Sequence, residues 1–123
     1  MATNLDELAT KDQLLETASL LSYVARRDVP ERRLEPILQD LRPRQREILK
    51  LRFGFGYEDT HTLEETGLIF KVTRQRIEQL QKEALSIIYF CRIGRLRRLA
   101  GASWTEGASG YITTKLPAAA VMS

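Results

Sequence analysis

Apolar side chains return at helical spacing from the start of the chain. Leu14, Ala18, Leu21 and Ala25 fall on one stripe that Leu8, Leu15 and Val24 widen, which predicts one amphipathic helix over residues 6–26. Asp28-Val29-Pro30 stops it, because a proline disfavours helix at the residue before it. A short second helix follows with Leu34, Ile37, Leu38 and Leu41 inward, and Pro36 fits it only in the first turn. Pro43 opens a third helix, with Ile48, Leu49, Arg52 and Phe53 around its surface, and Gly54 and Gly56 end it. After a polar loop to His61, Thr62-Leu63-Glu64-Glu65 reads as a capping box that starts a short fourth helix containing Gly67. Lys71-Val72-Thr73 breaks the pattern. Thr73 then caps a fifth helix running to about Phe90, with Ile77, Leu80, Ala84 and Ile87 or Ile88 as its buried stripe. No strand-like alternation appears, so the fold class is all-α. Leu49, Phe53, Leu63, Phe70, Ile77 and Leu80 are expected to form one core cluster.

The length, 123 residues, allows one compact domain plus a tail. The division that follows is an N-terminal helix over 1–30, a helical domain over 31–100 and a tail over 101–123. That tail is rich in small residues, with Gly107, Gly110, Pro117 and three consecutive alanines, and reads as disordered, with Trp104 and Tyr111 able to dock back. The net charge of +3 is unevenly spread: −3 over residues 1–40 (5 basic, 8 acidic) and +6 over residues 41–100 (13 basic, 7 acidic). The middle segment is thus the part suited to a polyanion. A single cysteine, Cys91, excludes an internal disulfide and a Cys-cluster zinc site, and fits a reducing cytosol. With one histidine, His61, which reads as an exposed loop residue, there is no material for a metal site or histidine catalysis. No catalytic, metal or cofactor residues are expected. Neither a membrane span nor a signal peptide is expected, since Asp6 and Glu7 make the start polar.

Residues 63–88 have the layout of a helix-turn-helix: a short helix, a three-residue turn and a longer helix that would enter the major groove amino-terminus first. Its early outward positions are Arg74, Gln75, Glu78 and Gln79, with Arg76 toward the flank. These types suit base edges, since Arg forks onto guanine, Gln pairs with adenine and Glu accepts from cytosine. Spacing alone equally describes a solvated helix face on a plain scaffold.

Two blocks, LRPRQREILKLRFG (residues 41–54) and TLEETGLIFKVTRQRIEQLQKEAL (residues 62–85), strongly resemble region 4 of the sigma-70 family. The matches at Arg52-Phe53-Gly54, Thr62 to Glu65, Gly67, Val72-Thr73-Arg74, Arg76-Ile77 and Gln79 are in register, and the likeness covers about residues 32–90. The resemblance implies that the second block reads the promoter −35 element, with Thr62, Thr73, Arg74, Gln75, Arg76, Glu78, Gln79 and Lys82 on double-stranded DNA. It also implies an apolar surface for the flap of the polymerase β subunit, to which Ile48, Leu49, Arg52, Phe53, Ile87 and Ile88 are assigned. The setting implied is the cytoplasm of a bacterial or phage-infected cell, with core RNA polymerase as partner and a separate sigma region 2 protein or an anti-sigma factor as further candidates.

Departures from the family pattern are specific. Gln75 stands where Glu is usual, Glu78 where Arg is usual, and Glu83 where Lys is usual, which places carboxylates near phosphates. Arg42 replaces a hydroxyl cap, at a cost of about 1 kcal/mol to its helix. Ile87 to Phe90 form a surplus apolar run, covered either by the N-terminal helix and tail or by a partner. Arg92, Arg95, Arg97 and Arg98 form a basic cluster that is either a solvated helix end or a phosphate-contacting strip. No segment before Leu41 has the size or aromatics to open a promoter. Three readings stay open: a polymerase- and DNA-binding region 4, a mimic that holds polymerase or a sigma partner without reading DNA, and a stand-alone DNA-binding regulator.

Overall fold

In the computed structural model, residues 8–101 are described apart from positions 28 and 58; Trp104, Tyr111 and the rest of the tail lie outside them. These residues form five α-helices, α1 (Lys11–Arg26), α2 (Glu31–Leu38), α3 (Pro43–Phe53), α4 (Leu63–Phe70) and α5 (Arg74–Ala100), and no strand.

Local signals place most helix starts. Helix α1 begins at Lys11, later than the apolar stripe suggests, because Thr10 and Gln13 close a capping box: each backbone N–H donates to the other's side chain, at 2.8 and 3.2 Å. Leu8 is left outside the helix and exposed, while Ala9 is buried and donates its N–H to the Ser86 hydroxyl at 2.9 Å. Nor is α1 amphipathic through its middle. Thr17 to Ser22 are buried in succession, so that stretch is packed on all sides and not along one stripe. Pro36 lies in the second turn of α2, not the first. The helix tolerates it because only one intrahelical bond, to the carbonyl of exposed Arg32, is lost. At the start of α3, Arg42 offers no acceptor, but its N–H still donates to the Gln45 side chain at 3.0 Å, so half of a capping box survives. Gly54 ends α3 in the left-handed conformation (φ 84°) and donates to the Lys50 carbonyl at 2.8 Å.

The expected single core cluster divides in two. Leu49 and Phe53 join Phe55, the apolar face of α2, α1 and residues 84–100 of α5. Ile48, by contrast, packs with Leu63, Ile77 and Leu80 between α3, α4 and the start of α5, with Phe70 and Val72 partly buried beside them. The reason is angular: adjacent helical residues point about 100° apart, so Ile48 and Arg52 share one face of α3 while Leu49 and Phe53 share the next. Helix α3 is therefore sandwiched.

Helix α5 is 27 residues long and runs ten residues past Phe90. Gly94 should weaken it by roughly 1 kcal/mol. Burial of Leu96 and Ala100 in the α1 cluster overrides that local preference. The surplus apolar run is largely covered in the same way: Ile88 is buried, Ile87 and Tyr89 are half-buried against α1's cluster, and Phe90 stays exposed.

Candidate nucleic-acid interface

The turn between α4 and α5 is built from short-range hydrogen bonds. Glu65 N–H donates to the Thr62 hydroxyl at 3.0 Å, and Thr62 N–H donates to the Glu65 carboxylate at 2.9 Å. Lys71 turns the chain in the left-handed region (φ 61°), and the Thr73 hydroxyl accepts from Arg76 N–H at 3.1 Å to start α5. Gly67 is needed where the turn folds back: a β-carbon there would sit 2.8 Å from the Val72 carbonyl oxygen. Ile77 and Leu80 anchor the inner side of α5 against Ile48 and Leu63. The opposite side of its first two turns is thereby turned to solvent.

On that side the structure brings Arg74, Gln75, Arg76 and Gln79 together as exposed side chains. Three of them are already engaged. Arg74 donates to Glu64 at 2.9 Å, and Gln79 accepts from Arg76 at 3.1 Å and donates to Glu83 at 3.5 Å. These exposed contacts are weak enough to exchange for a stronger anionic or base partner. Thr62 and Thr73 are exposed but serve as caps, and Lys82 is half-buried further along. Glu78 is half-buried as well, so it is less a free outward side chain than spacing alone suggests.

Behind this face lies Arg52, only 1% exposed. Its Nε donates to Gln81 Oε1 at 2.6 Å and its Nη1 to the His61 carbonyl at 2.9 Å. Burial pulls its pKa down to about 10; Arg74 pushes the same way, while Glu64 and Glu78 oppose it. Glu78 thus has an electrostatic role toward the interior. His61 is half-buried, not a free loop residue, and donates its backbone N–H to the Leu51 carbonyl at 3.0 Å. Arg52 and His61 together tie the α3–α4 loop to α5.

The residues assigned to the polymerase flap are placed differently from the expectation of a surface. Ile48, Leu49, Phe53 and Ile88 are interior, as is Arg52, and only Ile87 retains partial exposure. Leu49, Phe53 and Ile88 lie in a cluster to which α1 supplies Leu14, Ala18, Leu20, Leu21 and Val24, alongside residues of α2 and α5. Ile48 and Arg52 are instead covered by the α4–α5 side of the domain. Sequence reasoning missed the Glu64–Arg74 pair, though the capping box fixes Glu64 on the outer first turn of α4. It also missed the pair Leu68 and Ile69, exposed at 79% and 52% on α4. Among the described residues no helix is long and apolar enough to cross a membrane.

Comparison with known proteins places this geometry. The family described as Sigma-70, region 4 matches residues 37–88. The RNA polymerase sigma factor SigA of Nostoc sp. is 50% identical over 52 residues, which is 42% of this chain and 13% of that protein. The sigma factor RpoD of Neisseria gonorrhoeae is 49% identical over 49 residues, covering 40% of this chain and 8% of that protein. A SigA from Bacillus sp. is 35% identical over 83 residues, covering 68% of this chain and 21% of that protein. The chain therefore spans a small fraction of these relatives. No solved structure matches significantly.

Proposed function

Since residues 37–88 form a sigma-70 region 4 domain, a transcription-factor module and not an enzyme, we propose that this chain joins RNA polymerase to promoter DNA in the bacterial cytoplasm. The first two turns of α5 meet the −35 element, and the apolar surface around α3 and α5 receives the β flap. The observation that carries the DNA half is the exposed set Arg74, Gln75, Arg76 and Gln79 at the free end of α5, aimed outward by the buried Ile77 and Leu80.

The measurement is a fluorescence titration of a −35 duplex at several salt concentrations. Arg74→Ala should weaken binding by about 1–3 kcal/mol and relax preference at one base pair. Glu78→Arg should strengthen binding and steepen the salt dependence by about one unit, since one more phosphate is neutralised. It should also lower stability, because Glu78 favours the buried positive charge of Arg52. If both variants match the parent at every salt, α5 does not meet DNA.

The polymerase half makes a different demand. With Leu49, Phe53 and Ile88 buried in one cluster with α1, a flap reaches them only when that packing opens, and α1 is the element outside residues 37–88 that can move aside. The Glu16–Arg97 pair, with Nε–Oε2 at 2.7 Å and Nη2–Oε1 at 3.0 Å, links α1 to α5. Glu16→Arg replaces that attraction by repulsion and should raise capture of an isolated β-flap fragment several-fold. Equal capture by parent and variant, or none by either, removes this half of the proposal.

A further inference from the structure

The basic cluster near the carboxyl end of α5 resolves into two kinds of arginine. Arg92 pairs with Asp40 (Nε–Oδ2 2.7 Å), and Arg97 pairs with Glu16. Arg95 and Arg98 point elsewhere. With Leu99 they share a face of α5 by i, i+3, i+4 spacing, and they meet Arg33 and Pro36, one turn apart on α2. These five residues line an open cavity of about 360 Å³. Among the described residues, no carboxylate pairs with Arg33, Arg95 or Arg98. Three arginines thus line one cavity with no paired carboxylate among the described residues, whereas Arg92 and Arg97 of α5 are paired.

From this arrangement we propose that the α2–α5 cavity is a phosphate-binding site, separate from the base-reading end of α5. Guanidinium groups are planar forks that match phosphate oxygens two at a time, and three of them can surround a diphosphate. Pro36 and Leu99 supply an apolar wall for the organic part of a ligand. The volume lies at the low end of small-molecule sites. At 1.5 Å per residue, Arg95 stands about 32 Å along the axis from Arg74, too far for both to act in one groove position. Phosphate can come from two sources, a free phosphorylated molecule or the backbone of a duplex.

The test uses the full chain and inorganic pyrophosphate, followed through the arginine Nε–Hε signals by NMR. Saturable binding with one site per chain is expected, moving the signals of Arg33, Arg95 and Arg98. Arg33→Ala and Arg95→Ala should each weaken it at least tenfold, whereas Arg92→Ala, which removes a paired arginine, should leave it unchanged. All three positions of the site are exposed, so the variants keep the fold; in phosphate-free buffer Arg95→Ala should melt no lower than the parent, because it removes repulsion. A second arm titrates the same proteins with duplex DNA. Loss of duplex affinity in Arg95→Ala assigns the site to backbone phosphate, and unchanged duplex affinity assigns it to a free ligand. Non-saturable shifts, or equal pyrophosphate binding by parent and Arg95→Ala, overturn the proposal.

Discussion

Phe53→Ala should remove about 3–5 kcal/mol of folding stability, the range for truncating a fully buried aromatic in a core that collapses only partly. Phe53 is 3% exposed and its ring lies 6.3 Å from that of Phe55, centroid to centroid, at 22° between planes. The truncation therefore leaves a cavity in the cluster shared by α1, α3 and α5 and removes the stacking partner of Phe55. For a domain of this size a loss of that order lowers Tm by more than about 10 °C. Urea unfolding followed by circular dichroism gives the number directly. A loss under about 1 kcal/mol would mean that α1 does not pack on Phe53 in solution.

Arg52→Met is expected to cost about 2–4 kcal/mol, for a different reason. The methionine fills much of the same volume, so the loss comes from the Gln81 side-chain oxygen and the His61 carbonyl, which lose a charged donor. Part of that loss is returned, because an expensive buried charge is also removed. Gln81 Nε2 already lacks a partner, so Gln81 depends on Arg52 for its one hydrogen bond through the side-chain oxygen. The double variant Arg52→Met, Gln81→Met should accordingly be more stable than the sum of the two single losses, a coupling that a double-mutant cycle reads. Additive losses would show that the 2.6 Å contact contributes nothing. The pH dependence reflects the cost of burying the charge: with a folded pKa of about 10, below the ordinary arginine value, the unfolded chain holds the proton more tightly, so Arg52's contribution grows more favourable as pH rises above about 10.

What could be read from the chain without its structure was what short-range chemistry decides. The Thr62–Glu65 capping box, Pro43 at the head of α3, Gly54 at its end and Thr73 before α5 are each settled within four residues, and each stands where spacing puts it. The features that escaped depend on distant partners. Helix α5 continues through Gly94 because Leu96 and Ala100 are buried against a helix some eighty residues earlier in the chain, which periodicity in one window cannot register. Arg52 looked like a surface residue since arginine is rarely buried, and its burial rests on partners distant in the chain, Gln81 and the His61 carbonyl among them. Glu78 was legible as a residue on the outer half of α5 but not as a charge that also acts inward on Arg52.

Helix α1 also bears on the order in which the chain can fold. Its partners are late in the sequence: the Ala9 amide bonds to Ser86, 77 residues away, and Glu16 to Arg97, 81 residues away. Contacts of such separation close large loops and form slowly. During synthesis, which proceeds from the amino end, α1 emerges before α5 and has no α5 to pack on until that helix is complete. Throughout that interval Leu14, Leu20, Leu21 and Val24 are uncovered, and the nascent chain is a client for any chaperone that binds apolar helices.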